Sequence, residues 1–204
     1  MLKLLLTSNG FYTEAIKNQF LKLVDGEISE LKVAIITTAS TEKENNRFAQ
    51  KAKRDFRELG FQYIDYIDLE FDNPEILSHT DVIYINGGNP FKLLFHTKRC
   101  GADKILRKLV SKNMVVVGVS AGAVLLGPNI NVVQFFTPQM NTQNTVDLSA
   151  VELTDKIVFP HYDREDLFKE DTGKSIEDRL KEFEAFEKCE VARLKDDEFI
   201  TIKK

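Results

Sequence analysis

The sequence predicts an α/β protein with three layers, in which a doubly wound, mainly parallel sheet lies between two layers of helices. Short β-branched runs alternate with segments of helical periodicity along most of the chain. Most of the runs are apolar on both faces, as buried parallel strands are. The 204 residues contain no linker rich in Gly, Ser or Pro, so we expect one domain covering residues 1–204.

The strands are predicted from apolar and β-branched runs bounded by turn residues. The five principal runs are Leu2–Thr7, Val33–Thr38, Tyr63–Leu69, Val82–Asn86 and Met114–Val119. A further short strand begins at Ile157 and ends on His161, and the segment Val191–Ile202 resembles a hairpin around Asp196-Asp197.

The helices are predicted from apolar positions that share one helical face, and from residues that can cap a helix. One helical face is formed by Ile16, Phe20, Leu23 and Val24, and a second helix has a face formed by Phe48, Ala52, Phe56 and Leu59. Thr41 and Glu44 have the spacing of a capping box for the second of these helices. Further helices are expected from Pro90 to about Lys98 and from Ile105 to Val110. Another is expected after Ser175, which with Asp178 has the spacing of a capping-box-like start.

Charge and composition exclude several classes of protein. The formal charge of −4 is dispersed and forms no basic stripe, which disfavours a nucleic-acid partner. No apolar run approaches the ~20 residues of a membrane span, and the opening Leu4-Leu5-Leu6 is too short for a signal peptide. The two cysteines have no metal-ligand spacing. We therefore expect a cytoplasmic protein without a membrane partner, metal or other cofactor.

The segment Gly118-Val-Ser120-Ala-Gly122 joins a buried strand directly to an apolar helix start. This is the G-x-S-x-G pattern of a nucleophile elbow, in which a sharp turn exposes a serine hydroxyl above the sheet. The following helix directs its free amides toward the serine, which makes the Ala121 N–H a natural oxyanion donor. Ser120 is therefore the predicted nucleophile.

Two other strand ends should meet Ser120, because the carboxyl ends of parallel strands lie at one edge of a sheet. After Tyr84-Ile-Asn comes Gly87-Gly88-Asn89, where an amide of Gly88 or Asn89 could complete an oxyanion hole. Of the three histidines only His161 follows a predicted strand. A neutral imidazole can accept the hydroxyl proton near neutral pH, so His161 is the predicted general base.

These three segments resemble the family of serine dipeptidases that includes aspartyl dipeptidase and cyanophycinase, whose fold is related to the class I glutamine amidotransferases. The family's G-G-G-N-T-F-x-L-L, G-W-S-A-G-A and N-P-H segments are similar to those beginning at Asn86, Gly118 and Phe159. The resemblance implies a class I glutamine amidotransferase-like fold. It also implies that Ser120 is the nucleophile, His161 the base, and the amides of Gly88 and Ala121 the oxyanion hole.

The chain departs from the family pattern at two places. The dipeptidases have a catalytic acid about fifteen residues after the serine, but residues 129–138 contain none here. Gln134 or Asn131 could orient the imidazole through an amide, and Asp147 or Asp163 could serve if loops brought either one near.

The second departure concerns specificity. Ile176 stands where the family's aspartyl-specific members have an arginine that binds the substrate carboxylate. Aspartyl specificity is therefore not expected.

The leading hypothesis is a serine-type peptidase, either a dipeptidase or another exopeptidase, which hydrolyses short peptides through an acyl-enzyme on Ser120. One alternative is an esterase-type acyl hydrolase, which shares the elbow but normally has an HGGG-type loop that this chain lacks. The other is a non-catalytic binding or regulatory member of the fold, for which the missing acid is the argument.

Overall fold

The computed structural model describes residues 1–109, 112–169 and 173–203. Its strands are β1 (Leu2–Thr7), β2 (Lys32–Ile36), β3 (Tyr63–Ile67), β4 (Val82–Ile85), β5 (Met114–Val119), β6 (Ile157–Pro160), β7 (Val191–Leu194) and β8 (Phe199–Lys203). Its helices are α1 (Glu14–Leu21), α2 (Arg47–Glu58), α3 (Pro90–Arg99), α4 (Ala102–Lys108), α5 (Ala121–Leu125), α6 (Asn131–Phe136) and α7 (Ile176–Glu187). The end of the helix predicted to reach Val110 lies outside the described residues.

A six-stranded sheet in the order β3-β2-β4-β5-β1-β8 forms the middle layer. All its pairings are parallel except that of β8 with β1. Because successive strand residues face opposite sides, Leu5 packs in one core and Leu4 in the other. Helices α1 and α2 supply Phe20 and Phe56 to the first core, and α3 supplies Leu93 to the second. The predicted three-layer α/β architecture is confirmed.

The predicted hairpin at the end of the chain is wrong. Strand β7 pairs in parallel with β6 as a separate two-stranded sheet, whereas β8 crosses to the edge of the main sheet and pairs with β1. The turn at Asp196-Asp197 therefore connects two sheets. Because β6 and β7 run parallel, the residues that follow their carboxyl ends lie side by side.

The start of α2 also differs from its prediction. Lys43 has a positive φ of 53° and interrupts a continuous helix there, so Thr41 and Glu44 do not form its capping box. The cap is Asn46, whose side chain accepts a hydrogen bond from the Phe48 amide at 2.9 Å. Ser175 caps α7 as expected, accepting from the Asp178 amide at 3.1 Å.

None of the helices in the described ranges is long and apolar enough to cross a membrane.

Candidate active site

Ser120 occupies the turn between β5 and α5, with φ 50° and ψ −112°. A non-glycine residue rarely adopts a positive φ, and such strain collects at functional sites. The Ser120 amide donates to the Thr7 carbonyl at 2.9 Å, which fixes the turn against β1. At Gly122 a Cβ would lie 2.2 Å from the Ile85 carbonyl oxygen, so only glycine allows α5 to pack this close to β4.

His161 follows β6 directly, and its ring meets the serine. Its Nε2 lies 3.0 Å from Ser120 Oγ, within hydrogen-bond distance. The backbone is held by Ser8, whose hydroxyl accepts from the His161 amide at 3.0 Å and donates to the Leu194 carbonyl at 2.8 Å. His161 also has a positive φ of 58°. The structure therefore brings together the two residues that the sequence singled out.

Asp196 completes the chain of contacts on the far side of the imidazole. Its Oδ1 lies 2.6 Å from His161 Nδ1, and its side chain is 11% exposed. Because a carboxylate can only accept, this contact places the ring proton on Nδ1 and leaves Nε2 to accept from the Ser120 hydroxyl. The arrangement is that of a serine, histidine and acid triad.

The candidates that the sequence offered for the third position lie elsewhere. Asn131 donates to Glu187 at 3.1 Å, and Gln134 accepts from Asn141 at 3.4 Å. The carboxylate of Asp147 pairs with Lys98 at 2.6 Å.

Asp163 contacts Asp196 rather than the imidazole. Its Oδ1 accepts a hydrogen bond from the Asp196 amide at 3.1 Å and so holds the turn that carries the acid. None of the four candidates hydrogen-bonds the imidazole among the described residues, so the expectation that one of them orients it was wrong.

Asp196 was missed because residues 191–202 resembled a local hairpin, in which Asp196 would be an ordinary turn residue. The pattern that could have located Asp196 was the pair of short apolar runs Ile157–Pro160 and Val191–Leu194, which form parallel strands. Parallel pairing places the residues beyond both runs at one edge, where one run leads to His161 and the other to Asp196. Ser8 was missed for a similar reason, since its contacts at Leu194 and His161 span more than 150 residues of sequence.

The two predicted oxyanion donors belong to the two turns that meet at the serine. A Cβ on Gly87 would be 3.1 Å from Ser120 Cβ, so the glycine turn after β4 lies directly against the elbow. The Asn89 amide already donates to the Ala39 carbonyl at 2.8 Å. Within the described residues neither Gly88 N–H nor Ala121 N–H has a protein acceptor, so both can donate to a ligand.

Two cavities meet at Ser120 and His161. The larger one, about 450 Å³, contains the charged side chains of Glu42, Lys51 and Asp55. Burial, followed by the charge of Asp55, raises the pKa of Tyr84 in its wall, so the phenol stays protonated.

Asn86 is 2% exposed and lines the same cavity, and its Nδ2 has no partner among the described residues. This cavity is thus suited to polar parts of a ligand.

The smaller cavity, about 210 Å³, lies on the Ala121 side of the serine. Its apolar wall includes Val124, Val133, Phe136, Met140, Leu167 and Phe168. Across the described ranges no three His, Cys, Asp or Glu side chains are grouped closely enough to hold a metal ion.

Known proteins with a similar sequence or fold are peptidases by name. The family model described as peptidase family S51 matches residues 4–204. An uncharacterized peptidase of Listeria innocua, Lin0382, is 31% identical over 175 residues, with 83% of each chain covered. Another from Listeria monocytogenes, Lmo0363, is 34% identical over 148 residues, or 71% of each chain.

The fold has a solved counterpart as well. A crystal structure of a protein from Listeria monocytogenes EGD-e, provisionally named peptidase E, superposes with a TM-score of 0.77 at 26% identity, covering 100% of this chain and 99% of that one. The family model spans nearly the whole sequence, including the elbow and the strand that leads to the histidine. The chain therefore belongs to peptidase family S51.

Proposed function

We propose that this peptidase is serine-type, and that it hydrolyses short peptides through an acyl-enzyme on Ser120. The observation that carries the proposal is the continuous line of contacts from Ser120 Oγ to His161 at 3.0 Å and from His161 to Asp196 at 2.6 Å. A nucleophile, a base within hydrogen-bond distance of it, and a third group that orients the base are what acyl transfer requires.

The first half-reaction follows from these contacts. Ser120 Oγ attacks the carbonyl carbon of the scissile amide while His161 Nε2 takes the hydroxyl proton. The negative charge that develops on the carbonyl oxygen is stabilised by the Gly88 and Ala121 amides. When the C–N bond breaks, His161 gives the proton to the leaving amine, and the acyl group remains as an ester on Ser120.

Water completes the cycle by the reverse sequence. His161 takes a proton from the water as its oxygen attacks the ester carbonyl, and it returns the proton to Ser120 Oγ when the C–O bond breaks. Asp196 accepts from Nδ1 throughout and stabilises the imidazolium that forms in each half. The products are a carboxylic acid and an amine, and the residues named here take part in every step.

Asp196 also bears on the alternative of a non-catalytic member of the fold. That alternative depended on the absence of an acid near the serine, and the buried carboxylate beside His161 fills this position. No feature of the site specifically favours ester substrates over peptides.

Fluorophosphonate labelling together with peptide hydrolysis tests the proposal. Wild-type protein should be labelled at one serine and should hydrolyse members of a dipeptide and tripeptide library. Ser120→Ala should lose both properties, with a free energy of unfolding within about 1 kcal/mol of wild type because little volume changes. A labelled Ser120→Ala protein, or one with near-normal turnover, would contradict the assignment.

Ser29→Ala is the matched control, since Ser29 lines neither cavity and its hydroxyl donates to Glu27 at 3.2 Å. It should keep both labelling and turnover. Hydrolysis of esters but of no peptide in the library would favour the acyl-hydrolase alternative.

A further inference from the structure

The smaller cavity beside Ser120 contrasts with the larger one in the chemistry of its wall. The described residues around it include no charged side chain. The hydroxyl of Thr137 is engaged, since it donates to the Val133 carbonyl at 3.2 Å. A ligand group in this cavity would therefore contact mainly the carbon atoms of apolar side chains.

The cavity has the size of one large apolar side chain. Its volume of about 210 Å³ equals the liquid volume of roughly seven water molecules at about 30 Å³ each. A leucine or phenylalanine side chain fits within this limit.

The charged groups of a dipeptide indicate which part of it enters the cavity. Gly88, a proposed oxyanion donor, lines both cavities, so the scissile carbonyl lies where they meet. The leaving residue carries a free carboxylate, and among the described residues that line the two cavities the only lysine or arginine is Lys51, in the larger one. The side chain of the acyl residue is then directed toward the apolar cavity.

Arg179 is a buried cation that contacts two residues of the cavity wall, Phe136 and Phe168. It is 5% exposed and its Nη1 donates to the Phe168 carbonyl at 2.7 Å. Its guanidinium carbon is 4.1 Å from the ring centroid of Phe136, whose carbonyl accepts from Nη2 at 3.4 Å. The guanidinium is thus held by residues of the wall and does not itself line the cavity.

We infer that the apolar cavity is the acyl-side specificity pocket, and that it selects peptides whose residue before the scissile bond is large and apolar. This inference rests on the proposed function and specifies its substrate class. An aspartyl side chain in the same place would lose its hydration without gaining a partner, which is costly. A small side chain such as alanine would leave the cavity partly unfilled.

The test is a comparison of kcat/KM for four matched dipeptides: Leu-Ala, Ala-Ala, Asp-Ala and Ala-Leu. Leu-Ala should exceed Ala-Ala and Asp-Ala by at least about tenfold, the discrimination that a hydrophobic pocket gives even for single methylene differences. Equal or better cleavage of Asp-Ala would overturn the inference. So would a preference for Ala-Leu over Leu-Ala, because the apolar residue would then belong to the leaving group.

A change of specificity gives an independent test. Leu167 lies at the rim of the cavity and is 50% exposed, so an arginine there can keep its charge in water. Leu167→Arg should raise the ratio of kcat/KM for Asp-Ala over Leu-Ala by at least about tenfold. Phe186→Arg, at an 80% exposed apolar residue outside both cavities, should leave this ratio unchanged.

The outcomes separate this inference from the proposed function. If wild-type protein is labelled by fluorophosphonate and hydrolyses dipeptides but prefers Asp-Ala, the serine mechanism stands and the specificity inference fails. If it is neither labelled nor active on any of the four, the proposed function itself fails. An unchanged ratio in correctly folded Leu167→Arg protein would count against the cavity as the acyl-side pocket.

Discussion

Replacing Asp196 by asparagine removes the negative charge beside His161 while the side chain keeps its size. The amide can also present its NH₂ group to Nδ1, which favours the wrong ring tautomer for accepting the Ser120 proton. We expect Asp196→Asn to fold and to lose most of its peptidase activity through kcat.

The expected size follows from the geometry. A full charge 2.6 Å from the imidazolium nitrogen stabilises it by at most about 6 kcal/mol at an effective dielectric constant of about 20. The side chain is 11% exposed, so solvent weakens this only in part. At 1.36 kcal/mol for each factor of ten, the ceiling is about four orders of magnitude. Loss of the triad aspartate in a serine protease costs about 10⁴ in kcat, so we expect a loss of about 10³ to 10⁴.

The assay is steady-state hydrolysis of the best dipeptide, with kcat and KM measured separately and the fold checked by thermal unfolding. Asp197→Asn is the matched control, because Asp197 is the next residue along the turn and is exposed. It should retain wild-type turnover. Near-normal kcat in folded Asp196→Asn protein, or an equal loss in Asp197→Asn, would refute the argument that Asp196 orients and stabilises the imidazole.

Three further predictions follow from particular contacts. Gln134→Ala should keep kcat within about twofold of wild type because its amide contacts Asn141 and not His161, and a large loss would restore the amide hypothesis. Gly122→Ala should lower the free energy of unfolding by roughly 1–3 kcal/mol or more, since the new Cβ would overlap the Ile85 carbonyl; unchanged chemical denaturation would show that α5 can shift. The Arg193 guanidinium holds the pKa of Glu184 below its usual value near 4.5, so the pair stabilises the fold above that pH and loses this effect as pH falls through the lower folded-state value. Denaturation curves from pH 7 to 3 should therefore show Glu184→Gln about 1–3 kcal/mol less stable at pH 7, with a difference that shrinks toward pH 3, and a pH-independent difference would contradict this.

Local patterns in the sequence were sufficient for much of the fold and for two members of the candidate site. The strands Leu2–Thr7 and Met114–Val119 have the bounds that their apolar runs predict, because both faces of a buried parallel strand must be apolar. Ser120 and His161 could be found because each directly follows an apolar parallel strand, Ser120 after β5 of the main sheet and His161 after β6 of the two-stranded sheet. Glycines around the serine mark the elbow, since the backbone contacts there exclude a Cβ.

Only the tertiary structure decided the third member of the candidate site and the chemistry of the two cavities. Asp196 is 35 residues from His161, and its position depends on whether β7 pairs with β6 or with β8. The short apolar run Val191–Leu194 is compatible with either pairing, so its local β-propensity does not decide between them. The outcome depends on which pairing buries the strand in a core. The same holds for the apolar cavity, whose wall is contributed by segments from residue 88 to residue 168 and exists only once they pack around Ser120.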